Sequence, residues 1–411
     1  MKVALFTETY VPDVNGVVAH VQTLKNGLEA LGHEVLVVAA DKHCKHHYVY
    51  DGVLHCPSIE AKKFYGFGVA APYSRKRLKL LRDFDPDIIH IHHEFGIGLS
   101  GIVYAKLYGK PLVYTLHTMY DQYIYYIAPR PFLNTATKFS HQYERFIAYN
   151  ANMLTGPSAK CDEYFKRIGV RKEINIIPNS ADTEAFDYTR FTPEKKAERR
   201  EKLGIPADSM IVCFAGRLGK EKSVDVLMEF WAKTIKREDK LHLMVMGDGP
   251  DKEALMLLAK GLKIDDMVTF TGMVDHKEMP LQYSISDVFA SASLSEMNSI
   301  SMLESMACGL PVLQRYDEMN ADQIQDGVNG YLFNTAENMY ERLMEIRRLS
   351  DDELAGLKKQ VRDSMYDRGS ISIARYMLTI YDKAKEERDA RKNDKSNRQK
   401  FRIAQFTKSD K

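Results

Sequence analysis

The stretch from Val3 to Ala40 most narrowly limits what this chain can fold into. Val3-Ala-Leu-Phe-Thr7 is an apolar strand, and the polar loop Glu8 to Asn15 follows it. Gly16 opens a pattern in which Val17, Val21, Leu24, Leu28 and Leu31 recur at mostly three- and four-residue spacing, and Gly32 stops it. Glu34-Val-Leu-Val-Val-Ala-Ala40 is a second buried strand. Strand, helix and strand in this order form a βαβ unit, which implies a parallel sheet with helices on its faces. The first turn lacks Gly-x-Gly-x-x-Gly, which argues against a nicotinamide or flavin enzyme. Asn15-Gly16 leaves two readings open: an ordinary turn glycine, or a place where backbone N–H groups approach a phosphate.

With 411 residues the chain has room for two domains. Its 45% hydrophobic fraction supplies two cores. The parallel-sheet pattern starts again at Met210-Ile-Val-Cys-Phe-Ala-Gly216-Arg217, with a helix led by Val226, Leu227 and Phe230. Strands follow at Leu241 to Met246, Val268 to Val274 and Asp287 to Ala292, and Gly327 to Phe333 closes the sheet. The expected division is a first domain over 1–185, a linker over 186–209 containing the capped helix Thr192 to Gly204, and a second domain over 210–366. A C-terminal helix over 367–390, which could cross back to the first domain, and a basic tail over 391–411 complete it. No apolar run reaches the roughly 18 residues of a membrane span. Met1 to Glu8 reads as a strand, not a signal peptide, and five cysteines with no Cys-x-x-Cys fit a reducing cytosol rather than a disulfide framework or zinc site.

The net charge of +2 hides a local bias. Arg75, Lys76, Arg77, Lys79 and Arg82 crowd a stretch in which Leu78, Leu81 and Phe84 fall at helical spacing. Such a basic amphipathic helix reads as a membrane-surface element, behind an aromatic lead-in at Phe64, Tyr65 and Phe67; a Rossmann helix with a basic solvent face is the competing reading. Tyr120, Tyr123, Tyr125 and Tyr126 form a second candidate surface, since tyrosine suits a boundary that is apolar on one side and wet on the other. The tail from Arg391 interleaves cations with Phe401, Ile403 and Phe406, which suits nucleic acid, an anionic lipid surface or a solvated end; for the chain as a whole no nucleic-acid partner is expected. Asp83-Phe-Asp85 formally matches an Asp-x-Asp metal pattern but precedes a strand, so it reads as loop. His43, His46 and His47 read as solvated. His90 and His92, on one face at the end of Asp87 to His92, read as hydrogen-bonding groups rather than metal ligands, and no metal site is expected. His117 ends the strand Pro111 to His117.

The stretch Leu294 to Val312 carries most of the chemistry. Ile300, Leu303, Ala307 and Leu310 keep helical spacing, Asn298 and Ser299 are N-cap types, and Gly309 with Pro311 is a stop. Glu296 therefore lies in the loop before a helix and Glu304 about two turns in. The backbone N–H groups near Asn298, Ser299 and Ile300 lie between them, where a diphosphate is held well, and the carboxylates beside it can accept bonds from sugar hydroxyls. A surface helix with two solvated glutamates is the plainer reading of the spacing alone.

Glu-x7-Glu followed by Ser305-Met-Ala-Cys-Gly-Leu-Pro-Val312 resembles the signature of the retaining family-4 glycosyltransferases, with supporting blocks from Phe6 to about Phe333. The resemblance implies an α/β fold of two Rossmann-like parallel-sheet domains facing each other across a cleft, the GT-B architecture. It implies that Glu296 contacts the donor sugar, Glu304 the ribose and Val274, by its backbone, the base. It makes Arg217 and Lys222, in Gly216-Arg-Leu-x-x-x-Lys222, a clamp on the diphosphate, and places His117 near the reacting sugar carbon and Gly16 in the glycine loop. Met297-Asn298-Ser299 departs from the family's glycine- or threonine-containing turn, and Pro178-Asn-Ser-Ala-Asp182 from its Pro-Asn-Gly-(Val/Ile)-Asp. Thr115-Leu-His-Thr-Met-Tyr120 is most similar to bacterial diacylglycerol glucosyltransferases. That implies UDP-glucose as first donor, with UDP-galactose or a GDP-mannose-type donor behind it, a membrane lipid as acceptor, no required cofactor, and a peripheral position on the inner face of the plasma membrane. A transferase with a soluble sugar or small-molecule acceptor, or a silent nucleotide-sugar-binding protein, are the alternatives.

Overall fold

The computed structural model of the protein describes residues 1–13, 15–61, 67–119 and 130–406. The chain divides into two compact units. In the first, the described strands are β1 (Lys2–Thr7), β2 (Glu34–Asp41), β3 (Tyr48–Tyr50), β4 (Val53–Ala61), β5 (Phe67–Ala70), β6 (Ile88–Ile91), β7 (Leu112–Thr115), β8 (Met153–Gly156) and β9 (Ile174–Ile176). They form one sheet in the order β3-β4-β2-β1-β6-β7-β8-β9, with β5 on β4. β3 and β5 run antiparallel to β4, and the remaining pairs are parallel. The helix Gly16–Ala30 begins where its pattern predicts: Asn15 Oδ1 accepts the N–H of Val18 at 3.0 Å and so satisfies one orphan donor of the first turn. Val21, Leu24 and Leu28 of this helix pack on Val3, Leu5, Val35 and Val37.

The long helix Ser370–Phe406 belongs to this first unit. Ile373, Ala374, Met377, Ile380, Tyr381 and Ala384 make one stripe at helical spacing, and that stripe joins the core of Val3, Leu5, Val113 and Ile177. Residues 391–406, read from sequence as a tail, continue the same helix.

The second unit holds β10 (Met210–Ala215), β11 (Leu241–Met246), β12 (Val268–Gly272), β13 (Val288–Ser291), β14 (Val312–Arg315) and β15 (Gly330–Phe333), all parallel, in the order β12-β11-β10-β13-β14-β15. Two-residue alternation sorts its strands onto two cores. Met210, Val212 and Phe214 face a core with Leu227, Trp231, Leu255, Met339 and Leu343. Ile211, Cys213 and Ala215 face the other, with Met302, Leu303, Met306, Leu357 and Val361. Both faces are covered, which is why these strands read as unbroken apolar runs. The unit takes in residues from Pro178 onward rather than Met210, because Ala181, Phe186 and Ile205 are buried in the second of these cores. Among the described residues there is no disulfide, and no helix is long and apolar enough to cross a membrane.

Candidate active site

In open parallel sheets, ligands gather outside the carboxyl ends of the strands where the strand order reverses direction. In the second unit that point lies between β10 and β13. The loops leaving these two strands carry most of the expected residues. Lys220–Lys222 is a single 3-10 turn after β10. The carbonyl of Glu221 accepts the hydroxyls of Ser293, at 2.8 Å, and Ser295, at 2.6 Å, which leave β13. This ties the two loops together and sets Lys222 Nζ against Glu296 Oε1 at 2.5 Å. Arg217 Nη1 reaches Glu221 Oε1 at 3.3 Å. Lys222 and Glu296 are about one-fifth exposed as side chains, at 20% and 18%, so the pair is neither solvated nor sealed.

The predicted helix is present as Ile300–Ala307. Ser299 is its N-cap, with Oγ accepting the N–H of Met302 at 3.4 Å. It stops at Gly309, whose φ of +76° a residue with a Cβ adopts only under strain; a Cβ there would also meet Lys358 O at 2.8 Å. The departing turn Met297-Asn298-Ser299 is held by side chains rather than by glycine. Asn298 Oδ1 accepts the N–H of Asn179 at 2.8 Å, and Asn298 Nδ2 donates to Gln323 Oε1 at 2.8 Å. Gln323 Nε2 donates to Met297 O at 2.8 Å, and Asn320 Nδ2 donates to Glu296 O. Asn298 and Ser299 are thus committed as side chains within the fold.

Glu304 lies just over one turn into the helix, not the two turns expected from the spacing, and is buried at 6% exposure. Its Oε1 meets His276 Nε2 at 2.7 Å. Burial raises the Glu304 carboxyl, and the bond from His276 opposes that rise. The same bond raises His276 above its ordinary value of 6.5, against the desolvation that lowers it. Val274, in the loop after β12, packs by its side chain on the core.

His117 and Gly16 lie in the first unit. There the strand order reverses between β1 and β6. The carboxyl ends of β1, β6 and β7 deliver Glu8, then His92 and His93, then His117. His92 Nδ1 and His117 Nε2 are 3.1 Å apart, and His20 meets the His117 ring edge-on at 4.7 Å between centroids. Burial, with smaller contributions from neighbouring histidines, holds His92 and His117 well below the usual imidazole range, so both are neutral near pH 7. His90 is a structural group: its ring joins Tyr381 Oη at 2.9 Å and Thr115 Oγ1 at 2.6 Å. Gly16 opens its helix as expected.

The basic helix is present as Arg75–Phe84, capped by Ser74. Arg75, Lys76, Lys79 and Arg82 are exposed. Arg77 is not a surface cation: it is 1% exposed, donates to Ala71 O, and its charge acts on Glu8, whose carboxyl burial pushes up to about 7. Its position, one residue before Leu78 and four before Leu81, puts it on the inward stripe. Asp83 sits in the last turn of this helix rather than in a loop, and Asp85 ends it and pairs with Lys110 at 2.7 Å. Tyr120, Tyr123, Tyr125, Tyr126, Phe64, Tyr65, the side chain of Phe67 and the side chains of 394–411 lie outside the described residues. Sequence reasoning missed His20, His276, Asn320 and Gln323. Each is a polar residue whose partner is distant in the chain, and no local pattern marks it.

An alpha-monoglucosyldiacylglycerol synthase of Acholeplasma laidlawii is 32% identical to this chain over 396 residues, 94% of this chain and 96% of its own length. The chain belongs to the family-4 glycosyltransferases. A second protein of the same name, from Streptococcus pneumoniae, is 32% identical over 333 residues, 81% of this chain and 75% of its own. The family described as Glycosyltransferase Family 4 matches residues 14–185, and Glycosyl transferases group 1 matches 195–368. The latter range holds the whole β10–β13 constellation of this glycosyltransferase. Sucrose-phosphate synthase from Thermosynechococcus elongatus shares the fold, with a TM-score of 0.72 at 19% identity over 92% of this chain and 98% of that one. The two parallel-sheet units are those of the GT-B fold.

Proposed function

We propose that this glycosyltransferase moves glucose from UDP-glucose to a diacylglycerol-type lipid with retention at the anomeric carbon. The observation that carries the reading is the Lys222–Glu296 pair in front of the helix Ile300–Ala307, with Arg217 paired to the adjoining Glu221, at the strand-order reversal. Two cations and a helix N-terminus suit a diphosphate. Arriving diphosphate takes Lys222 from Glu296 and leaves that carboxylate to accept bonds from the sugar hydroxyls. Glu304 and the backbone at Val274 serve the ribose and base. The acceptor oxygen bonds to the anomeric carbon from the side the diphosphate leaves. The carbon–oxygen bond to phosphate breaks, and the acceptor's proton passes to a departing phosphate oxygen. Arg217 and Lys222 stabilise the charge that develops there, so a divalent metal is not required. We assign the neutral His117 ring to the sugar, whose hydroxyl it binds without adding charge.

The acceptor reading is supported by the names of the two relatives that are 32% identical. A diacyl lipid leaves the bilayer at a cost of about 0.8 kcal/mol per CH₂, so the enzyme comes to the surface. Arg75, Lys76, Lys79 and Arg82 supply exposed cations for an anionic leaflet, at roughly 1 kcal/mol each before screening. The enzyme works at the cytoplasmic face of the membrane. The test offers purified protein a panel of labelled nucleotide sugars, with diacylglycerol in anionic mixed micelles and with soluble sugars. Label from UDP-glucose in the organic phase is expected. Transfer to a soluble sugar alone would replace the lipid reading, and donor binding with no transfer to anything would make the chain a silent binding protein.

A further inference from the structure

His117 has two histidine neighbours that the transfer reaction does not use. His20 projects from the helix Gly16–Ala30, His92 follows β6, and His117 follows β7. Each offers a ring nitrogen, and the three nitrogens lie within 4.8 Å of one another. Nitrogens bound to one tetrahedral zinc ion at about 2.0–2.1 Å stand about 3.4 Å apart. The His92–His117 pair, at 3.1 Å, already has that spacing, and ring rotation of His20 is of the scale needed to close the rest. His20 and His92 are 2% and 1% exposed, whereas His117 is only partly buried, so solvent reaches the cluster past His117.

The donor set selects the ion. Three imidazoles with no carboxylate among the groups acting on His92 and His117 are a poor site for magnesium or calcium, which take oxygen ligands. They suit a borderline ion such as zinc or cobalt, and three protein nitrogens leave the fourth position to water. We propose that His20, His92 and His117 form a binding site for a zinc-type divalent cation, and that its occupancy withdraws His117 from the transferring sugar and blocks the enzyme. The site goes beyond the reaction assigned above; the block rests on that assignment. On binding, the hydrogen bond between His92 Nδ1 and His117 Nε2 gives way to two metal–nitrogen bonds, and the proton that bridged them moves to the far nitrogen of the ring that donated it.

The test titrates chelator-dialysed, full-length protein with Co²⁺, whose visible absorption reports tetrahedral nitrogen ligation, and then displaces it with Zn²⁺. About one equivalent is expected to bind with tetrahedral bands. His20→Gln and His92→Gln each weaken binding by ~10²-fold or more, since losing a ligand costs at least what losing its support does. Zn²⁺ inhibits transfer by the wild type over the same range, and His20→Gln keeps its metal-free turnover but loses the sensitivity. No stoichiometric Co²⁺ spectrum from the wild type overturns the site, whatever the variants do. So does unchanged Co²⁺ binding by both variants while they melt and bind UDP like the wild type. Binding without inhibition leaves the site standing and overturns the placement of His117 at the reacting carbon.

Discussion

Removing Lys222 distinguishes a catalytic cation from one that merely neutralises Glu296. The two side chains are 20% and 18% exposed and in contact. Breaking an exposed pair costs about 0–1 kcal/mol and breaking a buried one about 3–5, so this pair, between those limits, is worth ~1–2 kcal/mol of stability. For a unit of this size that lowers the melting temperature by about 2–8 °C. A preorganised stabiliser of a leaving group is worth more, ~2.7–4 kcal/mol or 10²–10³ in kcat. Lys222→Ala, Glu296→Ala and the double variant separate the two. If Lys222 acts on the diphosphate and Glu296 on the sugar, the double variant turns over no faster than the worse single one. If the pair is only structural, removing Glu296 relieves the stranded carboxylate, and the double variant recovers turnover and melting temperature together. The assay is initial rate at saturating donor and acceptor, with UDP affinity by calorimetry and thermal unfolding beside it. Recovery of near wild-type kcat in the double variant refutes the clamp.

Further outcomes follow from the same geometry. Arg217→Ala lowers kcat by ~10²-fold, as the loss of a leaving-group stabiliser does, and EDTA leaves wild-type transfer intact; a strict need for added metal contradicts the clamp. Glu304→Ala weakens UDP binding more than it lowers kcat, whereas Glu296→Ala does the reverse; equal effects on UDP affinity abolish the separate roles. His276 and Glu304 both hold protons more tightly in the folded chain than their ordinary values of 6.5 and 4.5. Their linked stability is therefore full below the ordinary values and falls as pH rises through the raised ones. For His276 that window lies above 6.5, and His276→Gln flattens it in thermal melts against pH. Reversing Arg75, Lys76, Lys79 and Arg82 to Glu abolishes sedimentation with anionic vesicles and spares UDP affinity. Arg77→Glu instead lowers the melting temperature, because it places a carboxylate in a buried site beside Glu8.

Local periodicity carried the parts of this fold that depend on neighbours in the chain. β1, the helix Gly16–Ala30 and β2 follow from one apolar run, one amphipathic stripe and another run. Ser299, Ile300 and Gly309 mark the ends of the helix that separates Glu296 from Glu304, and the structure has that helix. What stayed illegible depends on sheet order. His276 meets Glu304 because β12 and β13 lie in one sheet, with β11 and β10 between them. His20, His92 and His117 come from a helix and the loops after two strands, and nothing within any one of those segments marks the other two. Arg77 is a different case. A run of cations draws attention to charge, yet the leucine stripe beside it already assigns Arg77 to the inner face. The extent of the second unit was missed for a similar reason: Phe186 and Ile205 flank a strongly charged helix, and that charge masked the two buried anchors.

The central claim is transfer of glucose to a lipid with its anomeric configuration kept. Its most direct test is the anomeric proton coupling, by NMR, of the organic-soluble product formed from UDP-glucose and diacylglycerol by the purified chain. An α-linked glucosyl lipid, matching the α linkage of the donor, is expected. A β-linked product would contradict the front-face mechanism, and free glucose with no lipid product would contradict the transfer itself.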